Sequence, residues 1–343
     1  MKILHTEWML SIGGQAKRVL QELLAIKSFG WEPMLATSTE SWIAKAAKKE
    51  DIEVIPIEFK GALDIASAWR LMRLVKKRNI DVIHSHSSKD SYPAAYAAKL
   101  AGTKLVRTRH MDLTKKPGLL YHLPDAIITT GSKIKKELQT YGITKPIYSL
   151  PSYPDAKEFR PDAALRQEFR QKYGLQGVVV GALTGLKRDK RPHLLIEALK
   201  DSEATLLIAG VSNDEEYFGQ ISELIKGHEN IRFIGYVDPK AFLSAIDIYA
   251  CPSKKEGVPQ SIMQAMLCAK PVVSMDVGGI ADLSIDDNLL LAKKKEEFAS
   301  LLHRLVEDED LRRSLGEKNY QTATQHFTYE HFKKRLRHVY ESL

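Results

Sequence analysis

Residues 253–282 read SKKEGVPQSIMQAMLCAKPVVSMDVGGIAD, and they give the clearest indication of the fold. Its pattern predicts a loop, a helix over Gln260–Leu267, a short buried strand over Pro271–Ser274, and then a Gly-Gly turn. A loop that opens into a helix and is followed by an apolar strand is typical of a parallel α/β sheet. The same stretch places one carboxylate, Glu256, at the mouth of the loop.

The start of this helix and the nearby carboxylate together indicate a type of ligand. Backbone N–H groups at a helix start are unpaired and carry partial positive charge, so they favour a phosphate. Glu256 would repel a phosphate, and we therefore interpret it as an acceptor of hydrogen bonds from hydroxyl groups. Phosphate and polyol together indicate a nucleotide sugar. A surface loop before an ordinary core helix is the alternative interpretation.

The stretch resembles the signature E-G-x-P-x(4)-E-A-M-A-x-G-x-P-V-V…G-G of retaining, nucleotide-sugar-dependent glycosyltransferases of the GT-B class (family 4, group 1). Bacterial lipopolysaccharide and mannosyl transferases belong to that family. The matching residues are Glu256, Gly257, Pro259, Ala265, Met266, Pro271, Val272, Val273, Gly278 and Gly279. The resemblance implies a catalytic Glu256 and donor contacts at Gly257, Val258, Pro259, Gln260, Ser261 and Gln264. Gln264 is a departure, because the family has a second acid at this position.

The length and composition describe an ordinary globular protein. Its 343 residues, 44% hydrophobic and 27% charged, are sufficient for two domains of about 150–170 residues each. Cys251 and Cys268 lie in apolar surroundings without a metal-binding spacing, which is typical of small core residues in a reducing compartment. No apolar run reaches the length of a signal peptide or membrane span, so we expect a cytoplasmic protein.

Short apolar runs alternate with helical patterns along the whole chain. This rhythm predicts an α/β fold with two doubly wound, Rossmann-like domains, each built on a parallel sheet covered on both faces. A Pro-rich connection marks the boundary, and we expect an acceptor-side domain over residues 1–160 and a nucleotide-sugar domain over residues 161–325. The resemblance implies that the domains face a central cleft and that a helix over residues 326–343 packs back on the first domain.

The positive charge is concentrated in the first half of the chain. Residues 1–160 contain 26 Lys and Arg against 16 Asp and Glu, whereas the remainder contains 25 against 27. A basic half predicts an anionic partner, either an anionic membrane surface on the cytoplasmic side or a phosphorylated glycan. Nucleic acid is the weakest candidate, because no binding motif accompanies the charge. Candidates for these contacts are Lys115 and Lys116 and the helix at 62–78, although a buried stripe with a charged outer face also explains that helix.

Two further motifs resemble donor-binding segments of the family. Gly13 and Gly14 follow the first predicted strand, at a loop that in the family approaches the donor phosphates. The segment GALTGLKRDKRP, residues 181–192, resembles the motif G-R-L-x-x-x-K-G, whose two cations hold the diphosphate. Lys190 matches the lysine, which implies a catalytic role in stabilising the leaving group. Gly185 falls on the arginine position, so Lys187 or Arg188 is the alternative second cation.

Three histidines, His84, His86 and His110, stand at the ends of predicted strands. His110 matches the histidine that meets the donor sugar in the family, which implies a catalytic residue, and His86 is an acceptor-side candidate. Zinc binding by the three histidines lacks a carboxylate or cysteine ligand at suitable spacing. No Asp-x-Asp pattern indicates a catalytic divalent ion either. We therefore expect no metal and no cofactor, with a nucleotide-diphosphate sugar (UDP or GDP) as the co-substrate.

The resemblance implies a retaining, metal-independent hexosyltransferase that moves a sugar from this donor to a hydroxyl group. The expected acceptor is a lipid-linked or cell-surface glycan of the lipopolysaccharide type. Two other functions remain open on the same architecture. One is a nucleotide-sugar epimerase, and the other is a catalytically weak nucleotide-sugar-binding protein, suggested by Gln264 and the absent arginine. A sugar-binding protein is a further alternative, although it would normally need an export signal.

Overall fold

A computed structural model describes residues 1–111, 113, 116–212 and 214–343. The chain divides into two compact units: unit 1 is residues 1–152 with 330–343, and unit 2 is residues 153–329. The domain boundaries at 160 and 325 remain predictions from the sequence, close to these divisions. No helix in the described part of the chain is long and apolar enough to span a membrane.

Unit 1 contains a seven-stranded parallel sheet. Its strands are β1 (Lys2–Thr6), β2 (Glu32–Thr37), β3 (Glu53–Pro56), β4 (Val82–Ser85), β5 (Lys104–Arg109), β6 (Ala126–Thr129) and β7 (Ile147–Ser149). The order across the sheet is β3-β2-β1-β4-β5-β6-β7, so the direction of winding reverses between β1 and β4. Ligands of doubly wound sheets bind at the carboxyl ends of the strands where this reversal occurs.

Helices cover this sheet, and they are α1 (Gly14–Ser28), α2 (Trp42–Lys49), α3 (Ile65–Arg78), α4 (Ser88–Ala101) and α5 (Ser132–Thr140). A 3₁₀ turn at Leu119–Tyr121 precedes β6. The strands of the sheet centre are buried, yet they include polar side chains: His5 on β1 lies in register with His84 on β4. Burying such groups is costly unless they are hydrogen-bonded, so these positions point to a function or to a polar network.

Unit 2 contains a six-stranded parallel sheet. Its strands are β8 (Val179–Leu183), β9 (Thr205–Ala209), β10 (Ile231–Phe233), β11 (Ile248–Cys251), β12 (Val272–Met275) and β13 (Leu290–Ala292). The order is β10-β9-β8-β11-β12-β13, with the reversal between β8 and β11. The predicted class of two doubly wound α/β domains is confirmed.

The helices of unit 2 are α6 (Ala163–Tyr173), α7 (His193–Leu199), α8 (Glu215–Ile225), α9 (Pro239–Ala245), α10 (Gln260–Leu267), α11 (Lys295–Glu307) and α12 (Glu309–His326). A 3₁₀ turn at Ile280–Leu283 follows β12. The last helix, α13 (Tyr329–Glu341), belongs to unit 1, where its buried Tyr340 reaches the histidines of β1 and β4.

Candidate active site

The loops after β8 and β11 leave the sheet of unit 2 at the strands where the winding reverses, which is the expected ligand position. The first loop carries Lys190 and the second carries Glu256. Lys190 Nζ donates a hydrogen bond to Glu256 Oε1 at 2.6 Å, and both side chains are half-buried. The structure therefore brings together the cation and the carboxylate that the sequence assigned to different parts of a donor.

Arg191 holds these two loops together. Its Nε donates to the carbonyl oxygen of Pro252 at 2.8 Å and its Nη2 to that of Ser253 at 2.9 Å. The backbone of Arg191 is left-handed, with φ of 51°, a conformation that favours glycine. Arg191 occupies the position of the glycine in the K-G pair of the motif. Sequence reasoning missed this residue, although that departure from glycine was a visible signal.

The Gly-Gly turn after β12 packs directly on the Glu256 loop. Gly278 is left-handed, with φ of 62°, and a Cβ atom there would collide with the carbonyl oxygen of Glu256. A Cβ atom on Gly279 would lie 2.6 Å from Val258 Cγ2, while the Gly279 N–H donates to the Gly257 carbonyl at 2.8 Å. A side chain at Gly278 fits only if the backbone of the loop moves, and one at Gly279 fits only if the Val258 side chain moves. The two glycines thus determine where the backbone of Glu256 lies.

Helix α10 begins where the Glu256 loop ends. Pro259 is its N-cap residue and provides no side-chain cap, so the first-turn N–H groups, at Gln260 and Ser261, keep their partial positive charge. The Ser261 hydroxyl hydrogen-bonds to the buried Tyr249, whose pKa is raised well above its usual value by burial. Ser261 therefore has its backbone N–H, rather than its hydroxyl group, available to a ligand at the start of the helix. Gln264 lies one turn further along and is half-buried.

Arg188 and Lys187, the two alternatives for the second cation, lie in different surroundings. Arg188 is held against α8, where its Nη2 donates to Glu216 at 3.0 Å and its guanidinium lies 5.2 Å from the Tyr217 ring centre. Lys187 is exposed three residues before Lys190. A Cβ atom at Gly185 would lie 3.0 Å from the Val211 carbonyl oxygen, so a side chain there fits only if this neighbour moves.

In unit 1, Gly13 and Gly14 form the turn from β1 into α1. A Cβ atom on Gly13 would make an ordinary contact of 3.7 Å with Met9 Sδ, and one on Gly14 would meet nothing within 4 Å. Gly13 is extended, with φ of −168°, and gives α1 no side-chain cap. The described fold therefore does not itself require glycine at these two positions.

A continuous polar network runs through unit 1 from His110. His110 Nε2 lies 3.3 Å from His86 Nδ1, and His86 Nε2 lies 2.8 Å from His5 Nδ1. The Tyr340 hydroxyl then bridges His5 Nε2 at 3.1 Å and His84 Nδ1 at 2.7 Å. Burial lowers the pKa of His5 to about 3, and it holds the pKa of the other three histidines well below 6.5. All four rings are therefore neutral at pH 7.

Glu22 of α1 supplies the carboxylate that the sequence spacing around the histidines did not reveal. Its Oε2 lies between 3.6 and 3.8 Å from one nitrogen each of His5, His84 and His86. Its Oε1 accepts a hydrogen bond from Arg18 Nε at 2.7 Å. Both Arg18 and Glu22 are fully buried, four residues apart on the inner face of α1. Two charged residues on the inward stripe of a helix were the available signal.

The acceptor-side candidates lie in different environments. His86 is only 3% exposed, beneath His110, whereas Lys116 is exposed on the loop that follows β5. Lys115 lies outside the described residues. Within unit 1 the structure therefore joins His86 to His110 but gives no such contact for Lys116.

Comparisons with known proteins place the chain among glycosyltransferases. The family described as "Glycosyl transferases group 1" matches residues 166–322, and "Glycosyltransferase Family 4" matches residues 12–152. The putative glycosyltransferase YtcC of Bacillus subtilis (strain 168) is 29% identical over 252 residues, which span 64% of this chain and 60% of that protein. The O-antigen biosynthesis glycosyltransferase WbnH of Escherichia coli is 25% identical over 296 residues, which span 80% and 81%.

Among solved structures, Anabaena HepE in complex with UDP superposes with a TM-score of 0.91 at 20% identity, covering 100% of both chains. HepE has also been solved with UDP and glucose, and with UDP-glucose. The fold and these matches define a glycosyltransferase of the GT-B class. The two family matches together span most of the chain, which belongs to the group 1 glycosyltransferases of family 4. The family and fold inferred from the sequence are confirmed.

Proposed function

We propose that the protein transfers a hexose from a UDP or GDP donor to a hydroxyl group of a lipid-linked or cell-surface glycan, with retention at the anomeric carbon. The observation that carries this proposal is the Lys190–Glu256 pair beside the start of α10. A cation and a helix N-terminus suit a diphosphate, and an adjoining carboxylate suits sugar hydroxyl groups. Two comparisons support the choice of donor and acceptor: HepE is solved with UDP-glucose, and WbnH is named for O-antigen biosynthesis.

In the proposed reaction the bond from the anomeric carbon to the diphosphate breaks, and the acceptor oxygen forms its bond on the same face. The acceptor's hydroxyl proton passes to the leaving phosphate oxygen, so no external base is needed. Lys190, Lys187 and the first turn of α10 stabilise the charge that develops on the diphosphate. Glu256 holds sugar hydroxyl groups and so orients the anomeric carbon. We propose that no divalent cation takes part in the transfer.

Unit 1 contributes its own groups to the proposed reaction. Gly13 and Gly14 allow a ligand to approach the start of α1 closely, since the fold itself does not require glycine there. His110, held by His86, contacts the donor sugar. Gln264 of unit 2 contacts the ribose, because an amide oxygen still accepts a hydrogen bond from one hydroxyl group. Lys115 and Lys116 serve the acceptor.

We also propose that unit 1 binds an anionic membrane surface through the α3–α4 face. This face combines exposed apolar side chains on and just before the two helices, with Leu63 89%, Ile65 73% and Leu100 63% exposed. Basic side chains border it, and the guanidinium of Arg73 lies 4.7 Å from the ring centre of Trp69. Trp69 also lines a groove of about 300 Å³ between the two helices. Apolar anchors with a basic rim are typical of interfacial helices.

The experiment that tests the function has two stages. A thermal-shift screen with UDP, GDP, ADP and dTDP sugars identifies the donor, because a ligand that binds only the folded state raises the melting temperature. The labelled donor is then incubated with glycolipid acceptors, and the anomeric configuration of the product is read by NMR. We expect an α-linked product from an α-linked donor. Epimerised donor would establish the epimerase instead, and binding without turnover would establish the weak binding protein.

A further inference from the structure

We propose that His5, Glu22, His84 and His86 bind one zinc ion in the interior of unit 1. The four candidate ligand atoms are His5 Nδ1, His84 Nδ1, His86 Nε2 and Glu22 Oε2, and they all lie within 4.8 Å of one another. The carboxylate oxygen lies 3.8, 3.7 and 3.6 Å from the three nitrogens in that order, and His5 Nδ1 lies 2.8 Å from His86 Nε2. Bonds of about 2.0–2.1 Å in a tetrahedron place ligand atoms about 3.3–3.4 Å apart. Four of the six separations therefore lie within about 0.6 Å of the tetrahedral value, and the remaining two, from His84 Nδ1 to the other two nitrogens, are at most 4.8 Å.

The atoms on the outer side of each ligand are already hydrogen-bonded. His5 Nε2 contacts the Tyr340 hydroxyl at 3.1 Å, and His84 Nε2 contacts Thr108 Oγ1 at 2.7 Å. His86 Nδ1 contacts His110, and Glu22 Oε1 is bound by Arg18. Metal-binding histidines regularly donate their second N–H to such a partner, which fixes the ring and the tautomer. The arrangement around the four inward atoms therefore has the outer contacts that a zinc site needs.

Glu22 provides a second, independent observation. Its Oε2 is fully buried and has no hydrogen-bond partner among the described residues, although it points at the three imidazoles. A buried polar atom without a partner is rare in a folded protein and calls for an explanation. A cation between Oε2 and the imidazoles satisfies this atom and three ring nitrogens at once. Imidazole ligands favour zinc over magnesium or calcium, which prefer oxygen ligands.

The same residues can also be arranged without a metal, and this is the competing description. Hydrogen bonds would then run in one direction through His110, His86, His5, Tyr340, His84 and Thr108. Both ring nitrogens of His5, His84 and His86 are then satisfied, but Glu22 Oε2 is not. In the zinc-bound form Tyr340 releases His84 Nδ1, which lies 2.7 Å from its hydroxyl, and keeps its contact with His5.

The proposed ion is structural. Four protein ligands close a tetrahedral site and leave no position for water or substrate. The ligands come from β1, α1 and the end of β4, so the ion would connect the centre of the sheet to the helix packed on it. It would also fix His86 and, through it, the orientation of His110. The proposal is independent of sugar transfer, because the metal content can be measured without a donor or an acceptor.

The first test is the metal content of the untagged full-length chain after dialysis. We expect about one zinc per chain by mass spectrometry of the acidified protein. The metal is then removed with a chelator in denaturant, and the chain is refolded with and without zinc. Zinc should raise the melting temperature, and Co²⁺ in its place should give the visible absorption bands of a tetrahedral site. If the protein contains no zinc and added zinc does not change its melting temperature, the proposal is overturned in favour of the hydrogen-bonded chain.

Variants locate the ion. Glu22→Gln keeps the size of the side chain but removes the anionic ligand, and it should lose stoichiometric zinc. His122→Asn removes an exposed histidine outside the cluster and should retain zinc, which controls for surface binding. Thr108→Val alters only an outer contact and should weaken zinc binding about 10- to 100-fold, which remains measurable if Glu22→Gln does not fold. Full zinc occupancy in Glu22→Gln would contradict the assignment.

Discussion

At the residue scale, Glu256 combines a negative charge with a position beside a proposed diphosphate site. Lys190 balances that charge at 2.6 Å, so the pair presents opposite charges to neighbouring parts of one donor. Glu256→Gln keeps the shape of the side chain and one acceptor oxygen. We expect kcat/KM to fall about 10²- to 10³-fold, comparable to the loss of one preorganised polar contact. The melting temperature should not change, and activity like that of the wild type would contradict the donor-site assignment.

Lys190 should distinguish phosphate from base. Removing its ammonium by Lys190→Ala should weaken binding of the nucleoside diphosphate about 10- to 100-fold, the cost of a charged hydrogen bond, and leave the nucleoside nearly unaffected. Calorimetric titration of both ligands measures the difference. Lys200→Ala, at an exposed position in unit 2, is the control. Lys190→Ala also leaves the Glu256 carboxylate without its partner. The double variant Lys190→Ala/Glu256→Gln removes that unpaired charge and so shows how much of the lost affinity it causes. Equal losses for both ligands would make Lys190 structural.

Because Lys270 is buried, we expect the free energy of unfolding to depend on pH. Burial is the largest influence on this ammonium, and its pKa is lowered from 10.5 to about 8. The charged form is therefore disfavoured in the folded state, and the unfolded chain binds more protons between these two values. Stability should rise as pH increases from 8 to 10.5, and the full penalty, up to roughly 3 kcal/mol, is present below pH 8.

Lys270→Met tests this prediction, because methionine fills a similar volume without charge. The variant should melt above the wild type at pH 7, and the difference should disappear towards pH 10.5. Lys200→Met should show no such trend, since that side chain is exposed. A variant that is equally destabilised at every pH would mean that the contact of Lys270 Nζ with the Ser244 carbonyl outweighs the cost of burial.

The candidate site residues that the sequence predicts are those that belong to a local motif. Glu256, Lys190 and the two glycine pairs belong to short motifs at strand ends, so their neighbourhood can be read without the fold. Arg191 and Glu22 depend on distant partners: Arg191 binds carbonyl groups 61 and 62 residues away. Glu22 reaches histidines on β1 and β4, which come together only through the register of the sheet. No spacing in the sequence contains that information.

At the element scale, the sequence predicts strongly periodic elements better than polar ones. The helix at 260–267 has the predicted bounds, because it has an apolar stripe and clear ends. The sequence pattern missed α5 and α12, which are mostly polar. Polar contacts help to hold α12 in place, since its buried Asn319 bonds to Asn288 and to the Lys270 carbonyl. It also missed β7 and β13, which have only three residues each.

The Gly-Gly turn gives a prediction for a whole element, the loop from β11 to α10. Gly278→Ala should displace this loop, because the new Cβ atom would collide with the Glu256 carbonyl oxygen and the backbone is left-handed. We expect a loss of donor affinity together with a lower melting temperature. Gly219→Ala is the matched control, since Gly219 lies within α8 with nothing within 4 Å of a new Cβ atom. That change should stabilise the protein by about 0.5–1 kcal/mol.

Tight binding of the donor by Gly278→Ala, measured by the same calorimetric titration, would contradict this reading of the turn. It would show that the Glu256 loop adapts to a side chain at this position, so the glycines would not determine its course. A drop in the melting temperature without loss of affinity would have the same meaning for the site.

At the scale of the whole molecule, the difference in net charge between the two units is larger than that between residues 1–160 and the remainder of the sequence. Unit 1 contains 28 Lys and Arg against 16 Asp and Glu, whereas unit 2 contains 23 against 27. A net charge of this size attracts anionic surfaces in general, and salt screens that attraction. Net charge alone does not specify where the contact occurs. The α3–α4 face adds exposed apolar side chains to basic ones, and this combination is what localises the proposed membrane contact.

Two variants with equal loss of charge test this localisation. Arg73, Lys76 and Lys77 of α3 are changed to Gln in one variant, and Lys45, Lys48 and Lys49 of α2 in the other; all six are exposed. The wild type should sediment with anionic liposomes, less so as salt increases. At about 1 kcal/mol per basic residue near the surface, the α3 variant should bind roughly 100-fold more weakly, whereas the α2 variant should bind nearly as the wild type does. Equal losses of liposome binding in the two variants would indicate attraction by net charge alone. If the wild type does not bind anionic vesicles at low salt, the membrane is excluded and a soluble acceptor is favoured.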